Sequence, residues 1–228
     1  MAKTPRLLIF DLDGTLVDSN RDLIPALNAA TASVGLPPIS RADVGHVVGQ
    51  GALKMIEKAF AFHGQGMDGG VGGPLHNKLL QHFLDYYDDH IADHTIFFPG
   101  VLPALDALGT QGWQFAVCTN KYERFARKLL ELLGEADRFP VITGGDTFEF
   151  KKPDPRHLIE TAKLAEVDPA NCIMVGDSIN DILPAQEAGI PVIAVNFGYS
   201  DVPVEDLKPD VVISHFDQLI EAMGGLSD

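Results

Sequence analysis

Four apolar, β-prone residues, Leu7-Leu8-Ile9-Phe10, run without interruption into Asp11-Leu12-Asp13-Gly14-Thr15. This stretch restricts the fold more than anything else in the chain. A short apolar run closed by turn residues suits a strand buried on both faces of a parallel sheet. Open sheets of that kind bind ligands at the carboxyl ends of their strands, where Asp11 and Asp13 would stand. Residues two apart share one side of a strand, so both carboxylates can face one site. They repel each other unless a cation or a proton lies between them. Magnesium suits the pair, because it takes hard oxygen ligands and leaves room for a substrate phosphate. The competing reading is a polar turn after a core strand, with Asp-Gly as turn residues.

The period changes after Asp18. Leu23, Leu27, Ala30 and Val34 recur at helical spacing behind a cap at Ser19 or Asn20, and Pro25 is expected to kink this helix or delay its start. A short helix is predicted from Ser40 through Val44, Val47 and Val48, ended by Gly49-Gln50-Gly51. Two more follow, one with Leu53, Ile56 and Phe60 and one with Leu75, Leu79 and Phe83, on either side of a glycine-rich loop at 64–73. From Pro99 onward helix and strand alternate, with strands expected at 114–118, 141–143, 172–175, 192–195 and 211–213. Pro184 should strain the helix after the fourth strand. This alternation predicts an α/β fold, a Rossmann-like parallel sheet covered on both faces. The core is assigned to 1–17 and 95–228, with an all-helical block inserted at 18–94.

Three further polar clusters fall at or just after predicted strand ends. Thr119 offers a hydroxyl on a tight turn, and Lys152 a compact cation with rotatable donors. Asp177 and Asp181 lie one helical turn apart at a helix start. Each has a plainer reading. Thr119 or Asn120 can cap a helix, Lys152 or its neighbour Lys151 can be a solvated turn lysine, and Asp177, Ser178 and Asp181 can serve the helix start. Their joint placement at one sheet edge favours chemistry. A carboxylate can attack phosphorus, a second acid can protonate the leaving alcohol, and a metal, a lysine and a hydroxyl can offset charge on the phosphoryl oxygens.

With 46% hydrophobic residues the chain can bury a substantial core. A formal charge of -15 argues against nucleic acid and anionic membranes as partners. It also opposes a phosphorylated substrate, so any phosphate site must be locally positive. Cys118 and Cys172 read as small core residues rather than a disulfide. The polar start, Met1 to Arg6, is too short for a signal peptide, and no apolar run reaches membrane-spanning length. The expectation is a soluble cytoplasmic protein, monomer or homodimer.

Taken together, the four clusters resemble the motifs of the haloacid dehalogenase superfamily, and the likeness covers nearly the whole chain. Asp11-Leu12-Asp13-Gly14-Thr15 resembles the first motif, Thr119 the second, Lys152-Pro153 the third and Gly176-Asp177-Ser178-Ile179-Asn180-Asp181 the fourth. The resemblance implies that Asp11 is the nucleophile and Asp13 the acid/base. It implies that Asp11, the Asp13 carbonyl and Asp177 ligate Mg²⁺, with Asp181 supporting them. The helical block resembles the family's cap, and Gly49-Gln50-Gly51 the cap loop that dips toward substrate. Gly14, Asn120, Lys121, Gly49 and Gln50 are the implied substrate contacts, with Lys54 and Lys121 as candidate cations. Within the family the chain is most similar to bacterial phosphoglycolate phosphatases, through Val48 to Ala52, Gly144-Gly145-Asp146 and Phe197-Gly198-Tyr199. A small phosphorylated metabolite, 2-phosphoglycolate first, is the implied substrate. The rivals are a dehalogenase, which Asp13 disfavours, a sugar-phosphate mutase, and a non-enzymatic phospho-Asp receiver, which the helical insert disfavours.

Overall fold

The structure, a computed structural model, describes residues 6–40, 43, 47–48, 51–66, 69–70 and 72–226. The chain divides into two compact units, Met1–Asp18 with Phe97–Asp228, and Ser19–Ile96.

The first unit is built on six parallel strands: β1 (Arg6–Phe10), β2 (Trp113–Cys118), β3 (Val141–Thr143), β4 (Cys172–Gly176), β5 (Val192–Val195) and β6 (Val211–Ile213). Their order across the sheet is β3-β2-β1-β4-β5-β6. The apolar run at 7–10 therefore occupies the centre, with Leu8 paired to Phe115 on one side and Ile173 on the other. Leu7 and Ile9 point into a cluster with Cys118, Met174, Leu158 and Ile182. Phe10, on the opposite face, meets the rings of Phe115 and Phe139 at centroid separations of 6.1 and 6.4 Å. Both faces are buried, which is why β1 reads as a continuous apolar run rather than an alternating one. Cys118 and Cys172 are buried and unpaired, as small core residues.

The helices of this unit are α4 (Val101–Thr110), α5 (Glu123–Leu132), α6 (Arg156–Leu164), α7 (Ile179–Ala188) and α8 (Leu219–Gly224). Pro184 is accommodated inside α7, where it removes one backbone donor while Ile182 and Ala185 keep their buried packing. The chain leaves and re-enters this unit at adjacent points, since Val17 bridges Phe97 and Phe98 N–H donates to the Leu16 carbonyl at 3.0 Å.

The second unit contains α1 (Asn20–Ala32), α2 (Ala52–Phe62) and α3 (Pro74–His90). Pro25 does not delay the helix: α1 begins at Asn20, behind Ser19, and runs through the proline. Burial of Leu23, Ile24, Ala26 and Leu27 around it offsets the single lost hydrogen bond. Val34 lies beyond the helix end and is exposed rather than on its buried face. The ends of the unit are stapled together by buried Asp22. Its carboxylate accepts from His94 N–H at 3.0 Å, Thr95 N–H at 2.8 Å and the Thr95 hydroxyl at 2.7 Å. Of the short helix expected from Ser40 through Val48, residues 41, 42 and 44–46 lie outside the described residues, as do the loop residues Gly49 and Gln50. Among the described residues no helix is long and apolar enough to cross a membrane.

Candidate active site

The strand order reverses direction at β1, where the chain crosses first to β2 on one side and later to β4 on the other. A crevice at the carboxyl ends of the strands is expected at such a switch point. The residues following β1, β2 and β4 are the ones singled out in the sequence: Asp11 and Asp13, Thr119 to Lys121, and Asp177 to Asp181.

Lys152 is the centre of the cluster. Its ammonium lies 2.9 Å from Asp11 Oδ1 and 2.6 Å from Asp181 Oδ1, with 1% of its side chain exposed. Burial opposes its charge, but the Asp11 and Asp181 carboxylates outweigh that and hold the ammonium well above the ordinary lysine range. Its neighbour Lys151 is exposed, so the two candidate lysines separate clearly. The loop carrying Lys152 is braced by two side chains. Asn120 Nδ2 donates to the Lys152 carbonyl at 3.0 Å, and the Lys152 N–H donates to His157 Nδ1 at 3.2 Å. Asn120 thus gives an amide donor to the loop, while its Oδ1 is buried with no hydrogen-bond partner among the described residues.

Asp181 serves two purposes at once. Its Oδ2 accepts from the backbone N–H groups of Asp177 and Ser178 at 3.1 and 3.0 Å and from the Ser178 hydroxyl at 2.9 Å, completing a capping box at the start of α7. Its Oδ1 takes Lys152. Asp181 therefore both opens α7 and takes the Lys152 ammonium.

Asp177 is held from two sides. The Tyr199 N–H donates to Oδ2 at 2.6 Å and the Thr15 hydroxyl to Oδ1 at 3.4 Å. The Tyr199 hydroxyl in turn donates to Asp18 Oδ1 at 3.0 Å. Gly14 has φ +87°, and a Cβ there would stand 2.4 Å from Asp177 Oδ2. Only glycine allows both that backbone and that approach. Thr15, Tyr199 and His157 join the site in the structure although the sequence motifs do not single them out as site residues. Thr15 and Tyr199 act through Asp177, 162 and 22 positions away, whereas His157 acts through Lys152 only five positions away. The local signals were the place of Thr15 beside Gly14 and of Tyr199 in the Phe197-Gly198-Tyr199 turn.

One carboxylate oxygen from each of Asp11, Asp177 and Asp181 lies within 4.8 Å of the others. Burial, opposed by Lys152 and reinforced by Asp181, pushes the Asp11 carboxyl up to about 6. Burial, with the charges of Asp181 and Asp11, raises Asp177 well above the carboxylate range. Three buried carboxylates face one ammonium here. Asp11 Oδ1 meets that ammonium as an ion pair rather than an aligned hydrogen bond, so a buried oxygen is left short of donors. A hard divalent cation fits this donor set. Asp13 lies beside the cluster, with both oxygens 2.8 Å from the Lys121 ammonium. Lys54, the other candidate cation, is a half-exposed residue paired with Glu57.

Residues 8–195 match the family described as haloacid dehalogenase-like hydrolase. The chain belongs to the haloacid dehalogenase-like hydrolases. This hydrolase is 47% identical over 217 residues to a phosphoglycolate phosphatase of Agrobacterium fabrum, a match covering 95% of this chain and 91% of that one. It is 45% identical to a phosphoglycolate phosphatase of Mesorhizobium japonicum, covering 93% and 92% of the two chains. Among solved structures, a predicted phosphoglycolate phosphatase from Haemophilus somnus superposes with a TM-score of 0.86 at 28% identity, covering 98% of this chain and 100% of that one. The α/β core of the hydrolase thus has the architecture of known relatives.

Proposed function

We propose that the protein is a Mg²⁺-dependent phosphomonoester hydrolase that works through an aspartyl-phosphate on Asp11 and acts on a small phosphorylated metabolite, 2-phosphoglycolate first among them. The observation that carries this reading is the buried Asp11–Lys152–Asp181 chain beside Asp177 at the sheet's switch point. The names of the relatives direct the substrate toward phosphoglycolate.

Asp11, Asp177 and the Asp13 carbonyl are the residues assigned to hold the metal, with Asp181 orienting its neighbours. A bound Mg²⁺ offsets the carboxylate charge and draws electron density from the phosphoryl oxygens. Asp11 attacks phosphorus, the ester P–O bond breaks, and Asp13 supplies the proton to the departing alcohol oxygen. Water then attacks the phosphorylated Asp11 as Asp13 takes its proton, and phosphate leaves. Lys152 and Thr119, both buried, are assigned to the phosphoryl oxygens. Residues 18–94 are assigned as the helical cap domain of the family, with Gly49 and Gln50 its implied substrate contacts and Gly14, Asn120 and Lys121 those of the core. A cytoplasmic setting is part of this reading, supported by the two unpaired buried cysteines.

The test is phosphate release from 2-phosphoglycolate. Asp11→Asn should lower kcat by about 10⁴-fold or more with the circular dichroism spectrum unchanged, because the attacking charge is removed while the side-chain size is kept. Near-normal turnover by Asp11→Asn, after deamidation is excluded, would falsify the mechanism. A phosphorylated protein that holds its phosphate, or a sugar phosphate isomerised without phosphate release, would support one of the rival readings.

A further inference from the structure

Lys121 and Asp13 form an ion pair that the hydrolytic steps alone do not explain. The ammonium is 2.8 Å from each Asp13 oxygen, with 6% of the lysine side chain and 15% of the aspartate side chain exposed. Lys121 is not a loose lysine. Its N–H donates to Thr119 Oγ1 at 3.2 Å, and its carbonyl accepts from Gly145 N–H at 2.9 Å. Beyond it, the Glu123 N–H donates to Asp146 Oδ1 at 2.8 Å. The turn that carries the ammonium is therefore pinned to the loop after β3.

Geometry then constrains the substrate. Asp13, as the proposed acid, must come within hydrogen-bond distance of the ester oxygen that leaves. An ammonium gripping both Asp13 oxygens lies within a few ångströms of that same ester oxygen. In 2-phosphoglycolate the carboxylate carbon is two bonds from the ester oxygen, so the carboxylate arrives beside the ammonium. A lysine ammonium carries three rotatable donors and can bridge two carboxylates. Lys152, the other buried cation of the site, is already committed to Asp11 and Asp181.

We infer that Lys121 is the specificity residue: it shifts part of its grip from Asp13 to the substrate's carboxylate, and so selects phosphomonoesters whose carboxylate lies two bonds from the ester oxygen. This rests on the phosphatase reading above. A carboxylate one bond further out, as in 3-phosphoglycerate, overshoots the ammonium. A methyl in its place, as in ethyl phosphate, gives the ammonium nothing to exchange for.

The experiment measures kcat and KM for 2-phosphoglycolate, ethyl phosphate and 3-phosphoglycerate with the wild type, Lys121→Met and Lys121→Arg. Lys121→Met should lose activity on all three, because Asp13 loses its partner. Its preference for 2-phosphoglycolate over ethyl phosphate, as a ratio of kcat/KM values, should fall a further ~100-fold, mostly through KM. Lys121→Arg should restore that ratio to within about tenfold of wild type, since a guanidinium keeps the charge. An unchanged ratio in a folded Lys121→Met overturns the proposal and leaves the phosphatase reading standing. If that variant does not fold, the wild type decides: a preference of about tenfold or more for 2-phosphoglycolate over 3-phosphoglycerate supports the proposal, and equal rates overturn it. Failure of the wild type to hydrolyse any of the three with Mg²⁺ overturns both readings.

Discussion

His157 shows how a single buried side chain can connect the site to stability. It receives the Lys152 N–H and is buried completely. Burial and the Lys152 charge push its pKa from 6.5 down to about 3. The folded protein keeps the ring neutral, while the unfolded chain takes up a proton near pH 6.5. The unfolded state therefore binds more protons through this window, and the stabilising contribution present above pH 6.5 is lost as pH falls toward 3. Between about pH 7 and pH 5 the loss from this residue is about 2 kcal/mol. Urea unfolding of wild type and His157→Gln at both pH values should show the variant's pH slope reduced by that amount. Comparing the two proteins cancels the opposing slopes of Asp11 and Asp177, and an unchanged slope would mean that the ring is not held neutral. The sequence identified Asp11, Lys152 and Asp177 because each sits in a recognisable local pattern. His157 carries no such pattern, being an ordinary residue of α6 until the fold sets it under Lys152.

At the scale of elements, the loop after β3 supports the turn after β2. A Cβ on Gly144 would lie 2.2 Å from the Glu123 backbone nitrogen and 2.7 Å from the Lys121 carbonyl oxygen. Both are backbone atoms, so no side chain can move aside. Gly144→Ala should cost about 1–3 kcal/mol in urea unfolding, the usual range for overpacking. It should also lower kcat/KM at least about tenfold, because the turn bearing Thr119 and Lys121 must shift. A variant as stable and as active as wild type would show that the two loops do not pack this closely. Element positions were largely legible: the five later strands fall where short apolar runs meet turn residues, and β2 and β4 each extend the expected run by one residue. Both helices run through their prolines, α1 from Asn20 and α7 up to Gly189 as expected, because burial of neighbouring side chains outweighs one lost backbone hydrogen bond in each.

For the whole molecule, the balance of charge predicts a kinetic signature. A net charge of -15 repels a dianionic phosphomonoester at long range, while the site itself concentrates Lys152 and Lys121. Salt screens the long-range part first, since the Debye length shortens to about 8 Å at physiological ionic strength. At fixed free Mg²⁺, kcat/KM should therefore rise as NaCl is increased from roughly 10 to 150 mM. A steep fall instead would mean that the substrate is steered in by an attractive field stronger than the global repulsion.

From its residues alone the chain determines a central buried strand ending in two carboxylates, an alternating α/β pattern around it, and four polar clusters at strand ends. These follow from local rules, because the period of apolar residues and the chemistry of turns act over a few positions. The order β3-β2-β1-β4-β5-β6 and the partners it creates belong to the tertiary structure. It puts Asp11 on Lys152 across 141 positions, Thr15 on Asp177 across 162, and Asp13 on Lys121 across 108. No local pattern encodes those pairings. They arise because parallel strands must be joined by crossovers, and crossovers bring the carboxyl ends of distant segments to one edge.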